Sequence, residues 1–148
     1  MTARLRFLSS EQVVALHDAV LGETGGLPGG GHRGSSYEGA DAAVQAVKNS
    51  YYDTVAELAA AYAVYIVQGH VFADGNKRTG AAAMLTFLQA NAGRTTLSDE
   101  RLATLMIELQ RRAESGEDVA QLVRWIAGEL AAPRPNVAKA RRPGRPGR

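Results

Sequence analysis

Apolar residues recur at the spacing of an α-helix over most of this 148-residue chain. No stretch shows the sustained alternation of apolar and polar residues that a half-buried strand requires. The chain also has 26 alanines and only 6% aromatic residues. Alanine has the highest helix propensity, whereas strands favour β-branched and aromatic residues. The pattern therefore predicts an all-α fold, with at most short strands at Arg4–Leu8 or Arg94–Leu97.

Start and stop signals divide the apolar pattern into about six helices. Capping boxes at Ser9-x-x-Gln12 and Thr54-x-x-Glu57 predict where the first and third helices begin. The glycine of Ala92-Gly93 predicts the end of the fourth helix. The other helices are placed by their apolar residues, and they begin near Ala40, near Asn76 or Lys77, before Leu102 and after Asp118.

Two segments fall outside the helical pattern. Glycine-rich residues Gly22–Gly39 predict a loop, and its part Gly25–Gly34 is either a binding flap positioned by the helical scaffold or an ordinary connector. From Arg134 onward the chain carries six Lys/Arg, three prolines and no acidic residue. We therefore expect a domain at residues 1–131 and a disordered basic tail at 132–148. The composition of this tail favours a solvated segment without a role over one that makes a weak nucleic-acid contact.

Composition excludes several kinds of protein. Without cysteine, the chain cannot form disulfides, thiolate zinc sites or a cysteine nucleophile, which fits a cytoplasmic location. The longest apolar run, Leu58–Val67, is far shorter than the roughly 20 residues of a membrane span. Residues 1–133 hold 11 basic and 15 acidic residues, so the basic character belongs to the tail. We therefore expect neither a membrane protein nor a nucleic-acid-binding domain.

Chemistry-bearing residues are concentrated in Gly69–Gly80, a junction between two apolar helices. The start of a helix binds anions, because its first N–H groups lack partners. Gly75 would allow a phosphate to approach closely, and Lys77 and Arg78 add positive charge. Asp74 would either pair with these cations or hold Mg²⁺, and His70 is a candidate general base. These are the parts of a site for transfer of a nucleotide phosphate.

The same stretch closely resembles the signature of the Fic/Doc proteins. Fic enzymes have the pattern His-x-Phe-x-(Asp/Glu)-Gly-Asn-Gly-Arg-x-x-Arg, which this chain matches at His70, Phe72, Asp74, Gly75, Asn76 and Arg78. It departs at Lys77, where Fic enzymes have glycine, and at Ala81, where they have a second arginine. Both departures are typical of the Doc branch, whose pattern His-x-Phe-x-Asp-x-Asn-Lys-Arg-Thr matches residues 70–79 throughout. The resemblance covers about residues 5–130.

The resemblance implies a Fic fold and a Doc-type toxin of a toxin–antitoxin pair. Such an enzyme transfers the γ-phosphate of ATP to a Thr or Ser hydroxyl of a translation factor, with elongation factor Tu as the expected target, and so arrests translation. It uses Mg²⁺ and is restrained by a Phd-like antitoxin. AMP transfer of the Fic type is the alternative, which Lys77 and Ala81 disfavour. A catalytically silent binding protein is a second alternative, which the intact motif disfavours.

By the same resemblance, His70 would deprotonate the target hydroxyl and Asp74 would bind Mg²⁺. The phosphates would be held by Gly75, Asn76, Lys77 and Arg78. Phe72 is predicted to be core, Thr79 a residue of the first helical turn, and His17 a structural residue that bonds locally.

Overall fold

The computed structural model describes residues 4–24 and 33–131 of the chain. Within these ranges the chain forms six helices and no strand, which confirms the predicted all-α fold. The helices are α1 (Ser10–Thr24), α2 (Arg33–Lys48), α3 (Val55–Gln68), α4 (Asn76–Ala90), α5 (Asp99–Glu114) and α6 (Val119–Ala131). The tail at 132–148 and residues 25–32 of the predicted glycine-rich flap lie outside the described residues.

Helix α2 begins at Arg33, seven residues before the predicted start near Ala40. Its early turns contact α1, where the Tyr37 hydroxyl donates to Glu11 Oε2 at 2.6 Å. One turn later, the Ser10 hydroxyl donates to Asp41 Oδ1 at 2.8 Å. These contacts between helices offset the poor helix propensity of the glycines there. The predicted loop at Gly22–Gly39 is therefore shorter than expected.

The segment before α1, residues 4–9, has no regular secondary structure and pairs with no strand in the described part of the chain. Its backbone bonds side chains of the helices instead. The N–H of Arg6 donates to Asn91 Oδ1 at 2.7 Å, and the N–H of Leu8 donates to the Tyr62 hydroxyl oxygen at 2.9 Å. Burial raises the pKa of Tyr62 to about 12, so this acceptor stays neutral. The sequence allowed short strands at Arg4–Leu8 or Arg94–Leu97, and neither segment forms one.

Helix α3 lies at the centre of the bundle and contacts α2, α4, α5 and α6. It is alanine-rich and buried along most of its length. A Cβ added at Gly80 of α4 would lie 3.4 Å from the Cα of Ala63, so the two helices approach closely. This packing fixes both ends of the loop that joins α3 to α4. Although α3 is almost wholly apolar, neither it nor any other helix within 4–24 and 33–131 is long and apolar enough to cross a membrane.

Candidate functional site

The loop between α3 and α4 begins with a tight turn at the end of α3. The N–H of His70 donates to the Val67 carbonyl at 3.3 Å, and the N–H of Val71 donates to the Ile66 carbonyl at 3.5 Å. These bonds form a Schellman motif, in which one residue takes a left-handed conformation. That residue is His70, with φ of 48°. Its side chain is exposed, so the imidazole is open to a large substrate.

Helices α4 and α5 each end in a turn of this same kind, and the residue at the left-handed position differs between them. Ala92 occupies this position after α4 with φ of 61°, and Gly116 occupies it after α5 with φ of 90°. Glycine is the usual residue there, because a Cβ in the left-handed region costs about 1–2 kcal/mol. His70 therefore holds a strained backbone that glycine would relieve. Strain of this kind is often found at functional sites.

We expect His70→Gly and Ala92→Gly each to stabilise the protein by about 1 kcal/mol, because both remove a Cβ from the left-handed region. The melting temperature should rise by about 3 °C in each variant. Ala92→Gly is the matched control, since it makes the same change at the end of α4. A rise for Ala92→Gly without one for His70→Gly would show that contacts of the imidazole compensate for its backbone strain.

The second half of the loop ends at Gly75, the N-cap of α4, with φ of 81°. This left-handed conformation favours glycine, and a Cβ there would lie 2.9 Å from Leu21 Cδ2 of α1, so the leucine side chain would have to shift. Side chains cap four other helices, at Ser9, Thr54, Ser98 and Asp118. Within residues 4–24 and 33–131, no side chain caps α4. Its first N–H groups are therefore available to an anion.

Asn76 secures the loop through its side-chain amide. Its Oδ1 accepts from the N–H of Phe72 at 2.9 Å, and its Nδ2 donates to the Phe72 carbonyl at 2.8 Å. Phe72 is buried, as expected of a core residue. The first role of the Asn76 side chain is thus to hold the turn between Phe72 and α4. Its part in holding phosphate stays a prediction.

His17 of α1 supports the loop from below. Its ring is fully buried and stacks on Phe72 with 3.8 Å between centroids and 7° between planes. Its Nε2 lies 2.7 Å from the Asp74 carbonyl oxygen, to which it donates. Its Nδ1 lies 3.5 Å from Asp18 Oδ1, without hydrogen-bond geometry. The structural role predicted for His17 is therefore confirmed, but its bond reaches a carbonyl 57 residues away rather than a local group.

Thr79 lies in the first turn of α4, as predicted. Its backbone N–H donates to the Gly75 carbonyl at 2.9 Å. The side chain is fully buried, and its hydroxyl has no hydrogen-bond partner among residues 4–24 and 33–131. Burial keeps this hydroxyl away from a ligand in solution.

A cleft of about 700 Å³ opens beside the start of α4. Its polar part is formed by the loop and the first turn of the helix, and includes Asp74, Gly75, Asn76, Lys77 and Arg78. Its apolar part comes from α4 and α5, and includes Ala81, Leu85, Leu102, Met106 and Ile107. The structure thus brings together all the predicted phosphate and metal ligands.

His70 lines a separate, smaller cavity of about 210 Å³ together with Gln68, Gln110 and Glu114. Lys77 lies between the two cavities, since its Nζ donates to Gln110 Oε1 at 2.7 Å. Gln110 and Glu114 were not among the residues predicted from the sequence. Both lie on an ordinary amphipathic helix, 33 or more residues from Lys77, and no local pattern marks them.

The carboxylate of Asp74 is the candidate metal ligand, and it is exposed. In the described part of the chain it forms no ion pair with the neighbouring cations. No group of three or more His, Cys, Asp or Glu residues within 4–24 and 33–131 could hold a metal ion. A single carboxylate fits Mg²⁺, which takes its remaining ligands from water and substrate phosphates. The donor set does not fit a closed zinc or calcium site.

The sequence of the chain is similar to those of known proteins. The sequence model of the Fic/DOC family matches residues 7–88, more than half of the chain. The chain belongs to the Fic/DOC family. A relative within it, the "Protein kinase doc" of Escherichia phage P1, is 35% identical over 125 residues, which cover 84% of this chain and 98% of that protein. The Doc-type resemblance of the 70–79 motif is thereby confirmed, and the six helices agree with a Fic fold.

Proposed function

We propose that this protein is a Doc-type toxin that transfers the γ-phosphate of ATP to a Ser or Thr hydroxyl of a translation factor. The observation that carries the proposal is the uncapped start of α4. Its N–H groups, together with Lys77 and Arg78, border a cleft of about 700 Å³. The relative from phage P1 is named a protein kinase, which favours phosphate transfer. Elongation factor Tu is the expected target, and its modification would arrest translation.

In the proposed reaction, the imidazole of His70 accepts the proton of the target hydroxyl. The hydroxyl oxygen then forms a bond to the γ-phosphorus of ATP. The bond between that phosphorus and the oxygen bridging to the β-phosphate breaks, and ADP leaves. The first N–H groups of α4, with Lys77 and Arg78, balance the charge on the phosphates. Mg²⁺ held by Asp74 would supply further positive charge to the phosphate oxygens.

Two residues favour γ-phosphate transfer over AMP transfer. Lys77 places a cation where a Fic enzyme has a bare glycine, and a lysine there would obstruct the usual phosphate pose. Ala81 replaces the second arginine of the Fic pattern, and it lines the apolar part of the cleft. The cationic groups are thus concentrated at the first turn of α4.

A paired labelling assay tests the proposal. The protein is incubated with bacterial elongation factor Tu, Mg²⁺ and ATP labelled on either the γ- or the α-phosphate. Label transferred from γ-ATP alone would support the proposal. Label from α-ATP would instead establish AMP transfer. If elongation factor Tu takes up neither label, the assay is repeated on a bacterial lysate, where γ-label on another protein would correct the target and no label would contradict the activity.

We expect Asp74→Ala to raise the Mg²⁺ concentration for half-maximal transfer at least about tenfold, because even indirect metal contacts are worth that much. Asp99→Ala is the matched control, since Asp99 lines the same cleft but lies on α5. The measurement is the transfer rate as a function of Mg²⁺ concentration. An equal shift in both variants would show a general loss of negative charge and contradict metal binding by Asp74.

The remaining assignments follow from the proposed activity. A translation factor as target places the protein in the cytoplasm. A toxin of this type needs a Phd-like antitoxin to restrain it. The apolar part of the cleft suits such a partner, because Ile107 is 59% exposed there. For the basic tail we propose at most a weak contact with nucleic acid.

A further inference from the structure

A chain of hydrogen bonds leads from α4 to α5 beside the candidate site. Lys77 Nζ donates to Gln110 Oε1 at 2.7 Å, and Gln110 Nε2 donates to Glu114 Oε2 at 2.9 Å. An ammonium group can only donate and a carboxylate can only accept. The amide of Gln110 therefore has one orientation, with its oxygen toward Lys77 and its nitrogen toward Glu114.

These hydrogen bonds also connect the two cavities. Lys77 lines the large cleft together with Gly75 and Arg78. Gln110 and Glu114 line the small cavity that contains His70. An ammonium group has three donors, and Gln110 uses one of them. Within residues 4–24 and 33–131 the other two have no acceptor, so they are available to a ligand in the large cleft.

The neutral amide at position 110 has an electrostatic consequence. A carboxylate in direct contact would form an ion pair with Lys77 and cancel much of its charge toward a bound anion. The amide accepts a hydrogen bond from the ammonium group without neutralising it. It also separates the Lys77 ammonium from the carboxylate of Glu114, which lies one residue further along the chain of bonds.

We propose that Gln110 is a positioning residue, which holds the Lys77 ammonium toward the phosphates of ATP as a full positive charge. This inference rests on the proposed function, because it assumes that Lys77 binds phosphate. It adds α5 to the machinery of a site whose other predicted residues lie in residues 70–78. Gln110 sets the strength of nucleotide binding through Lys77.

Two substitutions separate the position of Lys77 from its charge. Gln110→Ala removes the acceptor, and we expect the KM for ATP to rise about fivefold with kcat within about twofold, as for loss of a hydrogen bond to a charged group. Gln110→Glu has nearly the same shape but adds a negative charge, and we expect a rise of at least about tenfold. Gln121→Glu, an exposed site on α6, is the matched control and should leave the KM unchanged.

A second measurement reads the position of Lys77 without any enzyme activity. The protein is treated with a limiting amount of acetic anhydride, and acetylation of Lys77 is compared by mass spectrometry with that of Lys48, an exposed lysine on α2. Loss of the hydrogen bond in Gln110→Ala should raise the ratio of Lys77 to Lys48 acetylation at least about threefold. The ion pair in Gln110→Glu should lower it.

The two measurements distinguish failure of the inference from failure of the proposed function. A rise in both KM and Lys77 reactivity supports the inference. An active wild type with unchanged KM in both Gln110 variants overturns it and leaves the proposed function standing. A wild type that neither transfers phosphate nor binds ATP overturns both, even where the reactivity of Lys77 still depends on Gln110.

Discussion

His70→Ala should lower kcat for phosphate transfer by about 10³-fold, within the range for loss of a general base. The fold should survive the change, because His70 is exposed and alanine is also found at the equivalent left-handed position after α4, at Ala92. The KM for ATP should change little, since the phosphate ligands lie in the other cavity. Initial rates with γ-labelled ATP measure both parameters.

Gln68→Ala is the control for this prediction. Gln68 lines the same small cavity and is exposed like His70, but it carries no basic group at neutral pH. We expect it to retain most of the wild-type rate. A His70→Ala variant that keeps more than about a tenth of the wild-type kcat would contradict the role of His70 as general base.

The second large effect is expected at His17, in the stability of the protein. His17→Ala removes a fully buried ring that stacks on Phe72, and it leaves the Asp74 carbonyl without its donor. Loss of a large buried side chain and of a buried hydrogen bond together should lower the free energy of unfolding by about 3–5 kcal/mol. Urea denaturation measures this change through the midpoint of unfolding.

Two further substitutions separate the ring of His17 from its hydrogen bond. His17→Phe keeps a flat ring against Phe72 but cannot donate to Asp74, whereas His17→Gln keeps a donor and loses the stacking. Because the donor holds the turn that precedes Gly75, we expect His17→Phe to lower the transfer rate more than His17→Gln does. The opposite order would show that stacking, rather than the bond to Asp74, positions the loop.

Tyr62→Phe tests whether a loss of stability by itself lowers the transfer rate. It removes a buried hydroxyl on α3 that accepts from the N–H of Leu8, in the segment before α1. It should cost about 1–2 kcal/mol, as for a buried hydrogen bond. Its kcat should equal that of the wild type. A matching loss of activity would mean that the transfer assay follows stability alone.

Much of the fold could be predicted because its signals are local. Apolar spacing and capping residues at Ser9 and Thr54 depend only on neighbours within one or two turns of helix. The start of α2 was placed too late, because contacts of Tyr37 and Ser10 between helices hold its first turns. The low helix propensity of glycine predicts a loop there, and no local pattern reveals that α1 packs against these turns.

The same distinction between local signals and contacts between helices applies to the candidate site. His70 and Asp74–Arg78 lie within nine consecutive residues, so the motif by itself determined which groups lie near the start of α4. Only the tertiary structure placed His17 beneath the loop and Gln110 beside Lys77, through bonds that join residues 57 and 33 positions apart. It also decided that His70 occupies its own cavity with a left-handed backbone. Such features depend on how helices pack, and helical periodicity gives the buried face of each helix but not the residue it meets.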